Sequence, residues 1–219
     1  MKITFSGQEF ILHSSGALYW PAQGILVIAD AHLEKGSSFA KRGFHLPPYD
    51  SHHTLLKLME VCEKTAARKI VILGDFFHDN DAHQRLSPES LQLFESLKKF
   101  PLIWVKGNHD VGYKPQGIEV YDEYELENIV FRHEALENGE REISGHFHPK
   151  AEFAYKGKSF RERCFLEDGR KLMLPAFGAY TGGLSVKSPV IARHFIETLR
   201  QYIIINERVI YVPELSASE

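Results

Sequence analysis

An α/β fold is the class that the sequence predicts, and three features of the chain predict it. Three short segments, residues 25–29, Lys69–Leu73 and Leu102–Val105, are apolar at almost every position, as in strands covered on both faces. Segments with helical spacing separate them. After the third strand, short strand-like segments follow one another with few helical signals. The first half is therefore predicted as β-α-β-α-β and the second half as mostly β.

The N-terminal segment is predicted to form a hairpin over residues 2–12, with its turn at residues 6–8. A further strand is predicted at residues 17–20. Residues 21–24, which contain a proline and a glycine, are predicted to turn the chain into the first central strand.

Two helices are predicted between the central strands. Residues 34–49 favour a loop, because they contain two glycines and two prolines. Asp50 is predicted to cap a helix that continues to about Arg68. Ser87 and Pro88 form a cap followed by a first-turn proline, which predicts a second helix through Lys99.

The second half contains further predicted strands, at 118–121, 128–132, 142–144, 153–155, 160–166, 171–174, 201–205 and 209–212. Asp168 with Gly169, and Asn206 with Glu207, are predicted as hairpin turns. No repeat or linker divides the chain. Residues 1–219 are therefore predicted to form a single domain, with a flexible tail at about 215–219.

Composition limits the classes of function. No run of about 18 apolar residues is present, so no membrane span is expected. The chain has only two cysteines, Cys62 and Cys164, and both are expected in the core, which favours a reducing, cytoplasmic location. The net charge of −3 argues against binding nucleic acid by bulk electrostatics. Residues 35–42 and 150–171 are nevertheless locally basic.

Polar side chains that can bind metal ions recur where apolar strands end. Because the carboxyl ends of parallel strands meet at one edge of a sheet, these side chains are expected to lie together. They are Asp30, His32, Asp75, Asn108, His109, Asp110, His133, His146 and His148.

This mixture of carboxylate, amide and imidazole groups suits a centre of two divalent metal ions, which needs a bridging carboxylate. Asp75 is predicted to bridge. A set of oxygen and nitrogen ligands fits Mn²⁺, Fe²⁺ or Zn²⁺. The predicted ligands besides Asp75 are Asp30, His32 and His148 for one ion, and Asn108, His133 and His146 for the other.

His109 is left without a metal in this assignment. It is predicted to protonate the leaving oxygen as a general acid, and Asp110 is predicted to orient it through a hydrogen bond.

The motifs in this order resemble those of the calcineurin-like metallophosphoesterases. They are Asp30 and His32, then Gly74, Asp75 and His78, then Gly107, Asn108, His109 and Asp110, then His133, and finally Gly145, His146 and His148. The resemblance covers about residues 25–148. It implies an α/β fold of two mixed β-sheets sandwiched between helices, and the same ligand roles.

A narrower resemblance covers most of the chain. It rests on residues 30–35 with Phe39, Arg42 and Gly43, on residues 163–165, and on residues 174–183. These segments are similar to the PdeM-type ligase-associated DNA-damage-response endonucleases. The resemblance implies Mn²⁺-dependent cleavage of single-stranded DNA in DNA repair. It also implies repair proteins as partners, namely a ligase, a helicase or an exonuclease.

Several assignments stay open at this point. Three functions are considered: a nuclease that acts on single-stranded DNA, a small-molecule phosphodiesterase or nucleotide pyrophosphatase, and a non-catalytic scaffold stabilised by its metals.

Residues 174–183 either frame the site or make a structural or dimer contact, and a homodimer is possible. His78 is predicted to support a ligand or cap a turn. Lys35 and Arg42 are candidates for contacts with phosphate, and residues 156–163 for contact with nucleic acid. The remaining histidines, among them His45 and His194, are expected at the surface.

Overall fold

A computed structural model gives the structure of residues 1–44, 46–47, 49–110, 116–155 and 157–212. His45 and the predicted tail at about 215–219 lie outside these described residues.

The first sheet has seven strands arranged in chain order. The strands from β1 to β4 pair antiparallel, and those from β4 to β7 pair parallel, so the sheet is mixed. They are β1 (Lys2–Phe5), β2 (Gln8–Leu12), β3 (Leu18–Trp20), β4 (Ile25–Ile28), β5 (Lys69–Leu73), β6 (Leu102–Val105) and β7 (Glu119–Tyr121).

The second sheet has eight strands, in the order β15-β14-β12-β13-β10-β9-β8, with β11 paired to β12 alone. Strand β10 is parallel to both β9 and β13, and the other pairs are antiparallel. The strands are β8 (Tyr124–Leu126), β9 (Ile129–Phe131), β10 (Glu142–Ser144), β11 (Lys150–Tyr155), β12 (Lys158–Glu167), β13 (Lys171–Met173), β14 (Arg200–Ile205) and β15 (Arg208–Val212).

Four helices accompany the sheets: α1 (Lys35–Ala40), α2 (Asp50–Thr65), α3 (Pro88–Ser96) and α4 (Pro189–Ala192). Short 3₁₀ turns at Ala82–Arg85 and Leu97–Lys99 flank α3. As predicted, Ser87 caps α3 by accepting a hydrogen bond from the Ser90 backbone N–H at 3.2 Å.

Three layers of hydrophobic side chains hold this arrangement together. The largest lies between the two sheets and includes Trp20, Phe10 and Phe131. A second layer packs α2 and α3 against the outer face of the first sheet. A third covers the second sheet with residues around α4 and β11. The predicted pair of mixed sheets with flanking helices is confirmed. Within the described residues, the helix that covers the second sheet is the short α4.

The described part of residues 34–49 is mostly loop, as predicted, although Lys35–Ala40 forms the short helix α1, which packs against α2. Two other local predictions were wrong. Asp50 does not cap α2: it lies in the first helical turn, and its carboxylate accepts a hydrogen bond from the Gly36 backbone N–H at 3.0 Å. Tyr49 takes the cap position with φ of 76°. His194 is 2% exposed and packs beside Phe147, so it is a core residue.

Candidate metal centre

The two sheets bring the predicted ligands to one place. Strands β4, β5 and β6 are parallel neighbours, so Asp30, Asp75 and Asn108 follow the same edge of the first sheet. His133 follows β9, and His146 follows β10 in the second sheet. The predicted gathering of ligands at the strand ends is therefore present.

The backbone at these strand ends is left-handed. Five of the predicted ligands have positive φ: Asp30 at 54°, His32 at 44°, Asp75 at 48°, His146 at 69° and His148 at 47°. Such a conformation costs on the order of 1–3 kcal/mol at each residue and is concentrated at functional sites. These residues all carry side chains whose ligand atoms lie close together at the centre.

The first ligand group contains Asp30, His32 and His148, whose ligand atoms lie within 4.8 Å of one another. His148 Nε2 is 3.3 Å from Asp30 Oδ1 and 3.3 Å from His32 Nε2. Asp30 Oδ1 is buried without a hydrogen-bond partner among the described residues. A buried carboxylate oxygen facing two imidazole nitrogens has the composition of a metal site.

The second group contains Asp75, His133 and His146. His133 Nε2 is 3.5 Å from Asp75 Oδ2, 3.0 Å from His146 Nδ1 and 2.9 Å from Asn108 Oδ1. His133 Nδ1 lies 2.8 Å from the Leu73 carbonyl oxygen and donates to it, so Nε2 is the ring nitrogen that faces the ligand group.

Asp75 Oδ2 lies between the groups. It is 3.8 Å from His32 Nε2 in the first group and 3.5 Å from His133 Nε2 in the second. It is also 3.9 Å from His109 Nε2, and His32, Asp75 and His109 form a third possible ligand group. One carboxylate oxygen therefore faces all three imidazoles.

The electrostatics of the centre favour a bound cation. Burial lowers the pKa of His32 to about 3, so its imidazole is neutral near pH 7. Burial raises the pKa of Asp75, but hydrogen bonding and charge from His133 outweigh burial and lower it to about 2. For His133, burial opposes protonation, while Asp75 and Asp30 outweigh burial and raise its pKa to about 9. The negative potential that attracts this proton also attracts a divalent metal ion.

His109 and His78 lie beside the ligand groups. The rings of His78 and His109 stack with centroids 5.5 Å apart, and each ring also lies edge-on to that of His32.

Lys35 Nζ lies 6.0 Å from the centroid of the Phe39 ring, which is itself 6.2 Å from that of His78. Burial, followed by the charge of Lys35, lowers the pKa of His78 to about 4. Arg42 follows α1 and is exposed. Its positive charge makes a smaller contribution to the lowered pKa of His78, after burial and Lys35.

Asp110 does not orient His109, contrary to prediction. Its Oδ2 accepts hydrogen bonds from the Trp104 indole N–H and the Gly107 backbone N–H, both at 3.1 Å. Its Oδ1 has no hydrogen-bond partner among the described residues. Asp110 thus closes the turn that carries Asn108 and His109, with Trp104 as a support that sequence spacing did not indicate.

Residues 174–183 lie beside the centre and frame it, which is one of the two alternatives considered for this segment. The backbone N–H groups of Phe177 and Gly178 donate to the carbonyls of Ala29 at 2.8 Å and Asp30 at 3.1 Å. This segment therefore extends the end of β4 and holds it in place. A Cβ atom on Gly178 would lie 1.9 Å from the Ala31 carbonyl oxygen, so only glycine fits there.

The donor set fits divalent metal ions. It combines carboxylate and amide oxygens with imidazole nitrogens, and Cys62 and Cys164 are free and buried in the core. Ligands of this mixed type suit Mn²⁺, Fe²⁺ and Zn²⁺. Two ligand groups that approach one carboxylate are typical of dinuclear metallohydrolases.

The comparison with protein families agrees with this class. The model of the calcineurin-like phosphoesterase family matches residues 24–180. This match covers more than half of the chain, which therefore belongs to the calcineurin-like phosphoesterase family. The resemblance inferred from the motifs is confirmed. Family membership implies a dinuclear centre of divalent metal ions and a metal-dependent hydrolase of phosphate esters.

Solved structures show the same relationship. The nuclease MPE from Pseudomonas putida is 28% identical, with a TM-score of 0.74 over 97% of this chain and 99% of its own. The phosphoesterase YfcE from E. coli is 15% identical over 86% of this chain and 98% of its own. Its TM-score of 0.41 is too low to support an argument. A search of curated proteins finds no match. The similarity to a nuclease agrees with the narrower resemblance seen in the sequence.

Within the described part of the chain, none of the helices combines the length and apolar character needed to cross a membrane.

Two glycines in the segment that frames the centre allow a matched test. Gly178→Ala is expected to destabilise the protein by about 1–3 kcal/mol and to weaken metal binding, because the new methyl group collides with the Ala31 carbonyl. Gly182→Ala is the control, since nothing lies within 4 Å of its Cβ position. Urea denaturation and metal analysis measure both effects. Equal behaviour of the two variants would show that residues 174–183 do not hold the β4 end.

Proposed function

We propose that the chain, as a single domain, is a metal-dependent phosphodiesterase that acts as an endonuclease on single-stranded DNA in DNA repair. The observation that carries the proposal is the position of Asp75 Oδ2, 3.8 Å from His32 Nε2 and 3.5 Å from His133 Nε2. One carboxylate between two ligand groups suits two ions about 3.5–4 Å apart, the arrangement used for in-line displacement at phosphorus.

The residues divide between two metals. Asp75 would hold both ions. A pair of divalent cations bound there supplies charge stabilisation for the phosphate oxygens and a nucleophile from water at neutral pH. The proposed ligands are otherwise Asp30, His32 and His148 on one side, and Asn108, His133 and His146 on the other.

His109 is proposed to hold a proton at Nε2 and deliver it to the departing oxygen. Its backbone N–H donates to Asp75 Oδ1 at 2.9 Å, which fixes the residue against the centre. Its side chain is 39% exposed, so a substrate can reach the ring. His109 also belongs to a possible ligand group, and metal content separates the two roles.

Lys35 supports substrate binding near this ring. The residue opens α1 and is partly buried, with its ammonium 6.0 Å from the Phe39 ring centroid. Its position near His32 and His78 suits contact with a phosphate oxygen. Arg42, which is exposed, is proposed to contact the strand further from the centre. His78 is proposed to support His109 by stacking against it.

A polynucleotide substrate is favoured by the similarity to the Pseudomonas putida nuclease, which extends over almost the full length of both chains. The family alone allows the alternatives of a small-molecule or nucleotide phosphodiesterase or pyrophosphatase. A non-catalytic scaffold stabilised by its metals is the third possibility. We favour Mn²⁺ as the metal, with Fe²⁺ or Zn²⁺ as alternatives that suit the same donors.

The proposal also includes a cellular location and protein partners. Two free, buried cysteines fit a reducing cytoplasm. Association with repair proteins such as a ligase, helicase or exonuclease is proposed from the family resemblance alone. Formation of a homodimer is proposed because the β-rich second half could supply a strand edge for it.

Substitution of Asp75 and His109 separates binding from proton transfer. Asp75→Ala is expected to lose both metals, because it removes the shared ligand. His109→Ala is expected to keep both metals and lose about 10²–10⁴-fold in kcat. Metal content by mass spectrometry and turnover of bis-p-nitrophenyl phosphate with Mn²⁺ measure the effects, with His52→Ala as the control. Full metal content in Asp75→Ala would refute the shared-ligand role, and metal loss in His109→Ala would make His109 a ligand.

The substrate is tested by direct competition between classes. A circular single-stranded DNA, a labelled linear oligonucleotide, a cyclic nucleotide and a dinucleotide are compared with Mn²⁺ present. Cleavage of the circular DNA is expected, because an endonuclease needs no strand end. Hydrolysis of only the small substrates would favour the nucleotide phosphodiesterase, and no hydrolysis with any divalent metal would leave the scaffold.

A further inference from the structure

A cavity of about 350 Å³ lies beside the segment that frames the metal centre. Lys57 and Thr54 of α2 line one part of it, and Arg163 of β12 lines another. Residues 178–181 form the rest of the wall. The metal centre does not use these side chains, although Gly178 bonds directly to the Asp30 carbonyl.

The two cations of this cavity have only neutral partners. Lys57 Nζ donates to the Phe177 carbonyl and lies 3.9 Å from the centroid of the Phe177 ring. Arg163 Nη1 donates to the carbonyls of Ala176 at 2.9 Å and Ser15 at 3.3 Å. Among the residues that the structure describes, no carboxylate lies within 4.0 Å of either charge.

Partly buried cations without an acidic partner are costly unless an anion joins them. Burial, followed by the charge of Arg163, lowers the pKa of Lys57 to about 7. A bound anion would offset both the burial of the Lys57 ammonium and its repulsion by Arg163. Lys57 and Arg163 thus line one cavity, and its described walls supply no carboxylate to compensate their charge.

The cavity rim also carries an aromatic side chain. Tyr180 is 41% exposed and has a left-handed backbone with φ of 53°. A further cation, Lys150, donates to the Thr181 carbonyl at 3.3 Å. Lys150 follows His148 by two residues, and its contact with Thr181 joins it to a residue that lines the cavity. Cations that follow the backbone beside an exposed ring are typical of single-stranded nucleic-acid binding.

We propose that this cavity binds a phosphate group of the substrate strand next to the bond that is cleaved, with Lys57 and Arg163 as its ligands. The adjoining base would stack on Tyr180. This inference rests on the proposed nuclease function, and it names the subsite that would favour a strand over an isolated phosphodiester. The phosphate is either an internal one of the strand or a terminal one.

Lys57→Met tests the subsite, because methionine keeps the apolar length of the side chain and removes the charge. Lys64→Met is the matched control on the same helix, where the ammonium is exposed and 3.6 Å from Glu60. For Lys57→Met, the ratio of kcat/KM on a single-stranded oligonucleotide to kcat/KM on bis-p-nitrophenyl phosphate is expected to fall about tenfold. The salt dependence of oligonucleotide binding should also weaken, by about 0.7 in log–log slope.

Oligonucleotides with and without a 5′- or 3′-phosphate distinguish the two sources of the phosphate. A defect that requires a terminal phosphate assigns the cavity to a strand end, and a defect that is independent of it assigns the cavity to an internal phosphate. An unchanged substrate ratio and salt slope in Lys57→Met would overturn the subsite. A purely structural role would lower both activities together and leave the slope unchanged.

A separate measurement does not depend on nuclease activity. Inorganic phosphate is expected to raise the Tm of the metal-loaded wild type and of Lys64→Met more than that of Lys57→Met. If no DNA is cleaved but this difference in Tm is present, the phosphate site is supported and the nuclease function is refuted. If DNA is cleaved but the difference in Tm is absent, the nuclease function is supported and the phosphate site is refuted.

Discussion

The carboxylate of Asp75 is the group on which the arrangement of the centre depends. It lies at the end of a central strand and receives a hydrogen bond from the His109 backbone N–H at 2.9 Å. Its second oxygen faces imidazoles contributed by both sheets. Because those imidazoles come from distant parts of the chain, the two sheets must hold a fixed spacing for the site to exist. The core layer between the sheets, built around Trp20 and Phe131, supplies that spacing.

This placement requires unusually close backbone approach. A Cβ atom on Gly107 would lie 2.2 Å from Asp75 Oδ1, and one on Gly145 would lie 2.6 Å from Asp30 Oδ2. Left-handed backbone at five ligand positions adds strain. Packing and the parallel strands stabilise the structure enough to keep the strained ends in place. Such a site is expected to lower stability in favour of function, as is common in enzymes.

The sequence predicted which polar side chains lie together at the centre, because the fold of this region is local and regular. Apolar strands end in Asp30, Asp75 and Asn108, and parallel pairing brings those ends together without any knowledge of distant contacts. The helix at Lys35–Ala40 was missed because Gly36 inside it and Gly43 after it suggested a loop, whereas packing against α2 stabilises it.

Other features depend on side-chain direction or on contacts distant in sequence. Asp110 follows His109 directly, yet its carboxylate turns toward Trp104, which spacing alone does not reveal. Lys57 and Arg163 are far apart in the chain and line the same cavity only in the folded structure. Short elements such as β8 and α4 have too few residues for a periodic signal, although Ser188 and Pro189 carry the same cap pattern as Ser87 and Pro88.

Anomalous X-ray diffraction from crystals grown with Mn²⁺ tests the shared-carboxylate arrangement most directly. The account predicts two manganese peaks about 3.5–4 Å apart on either side of Asp75. One peak should lie beside His148 and the other beside His133. A single peak, or two peaks that do not share Asp75, would contradict it.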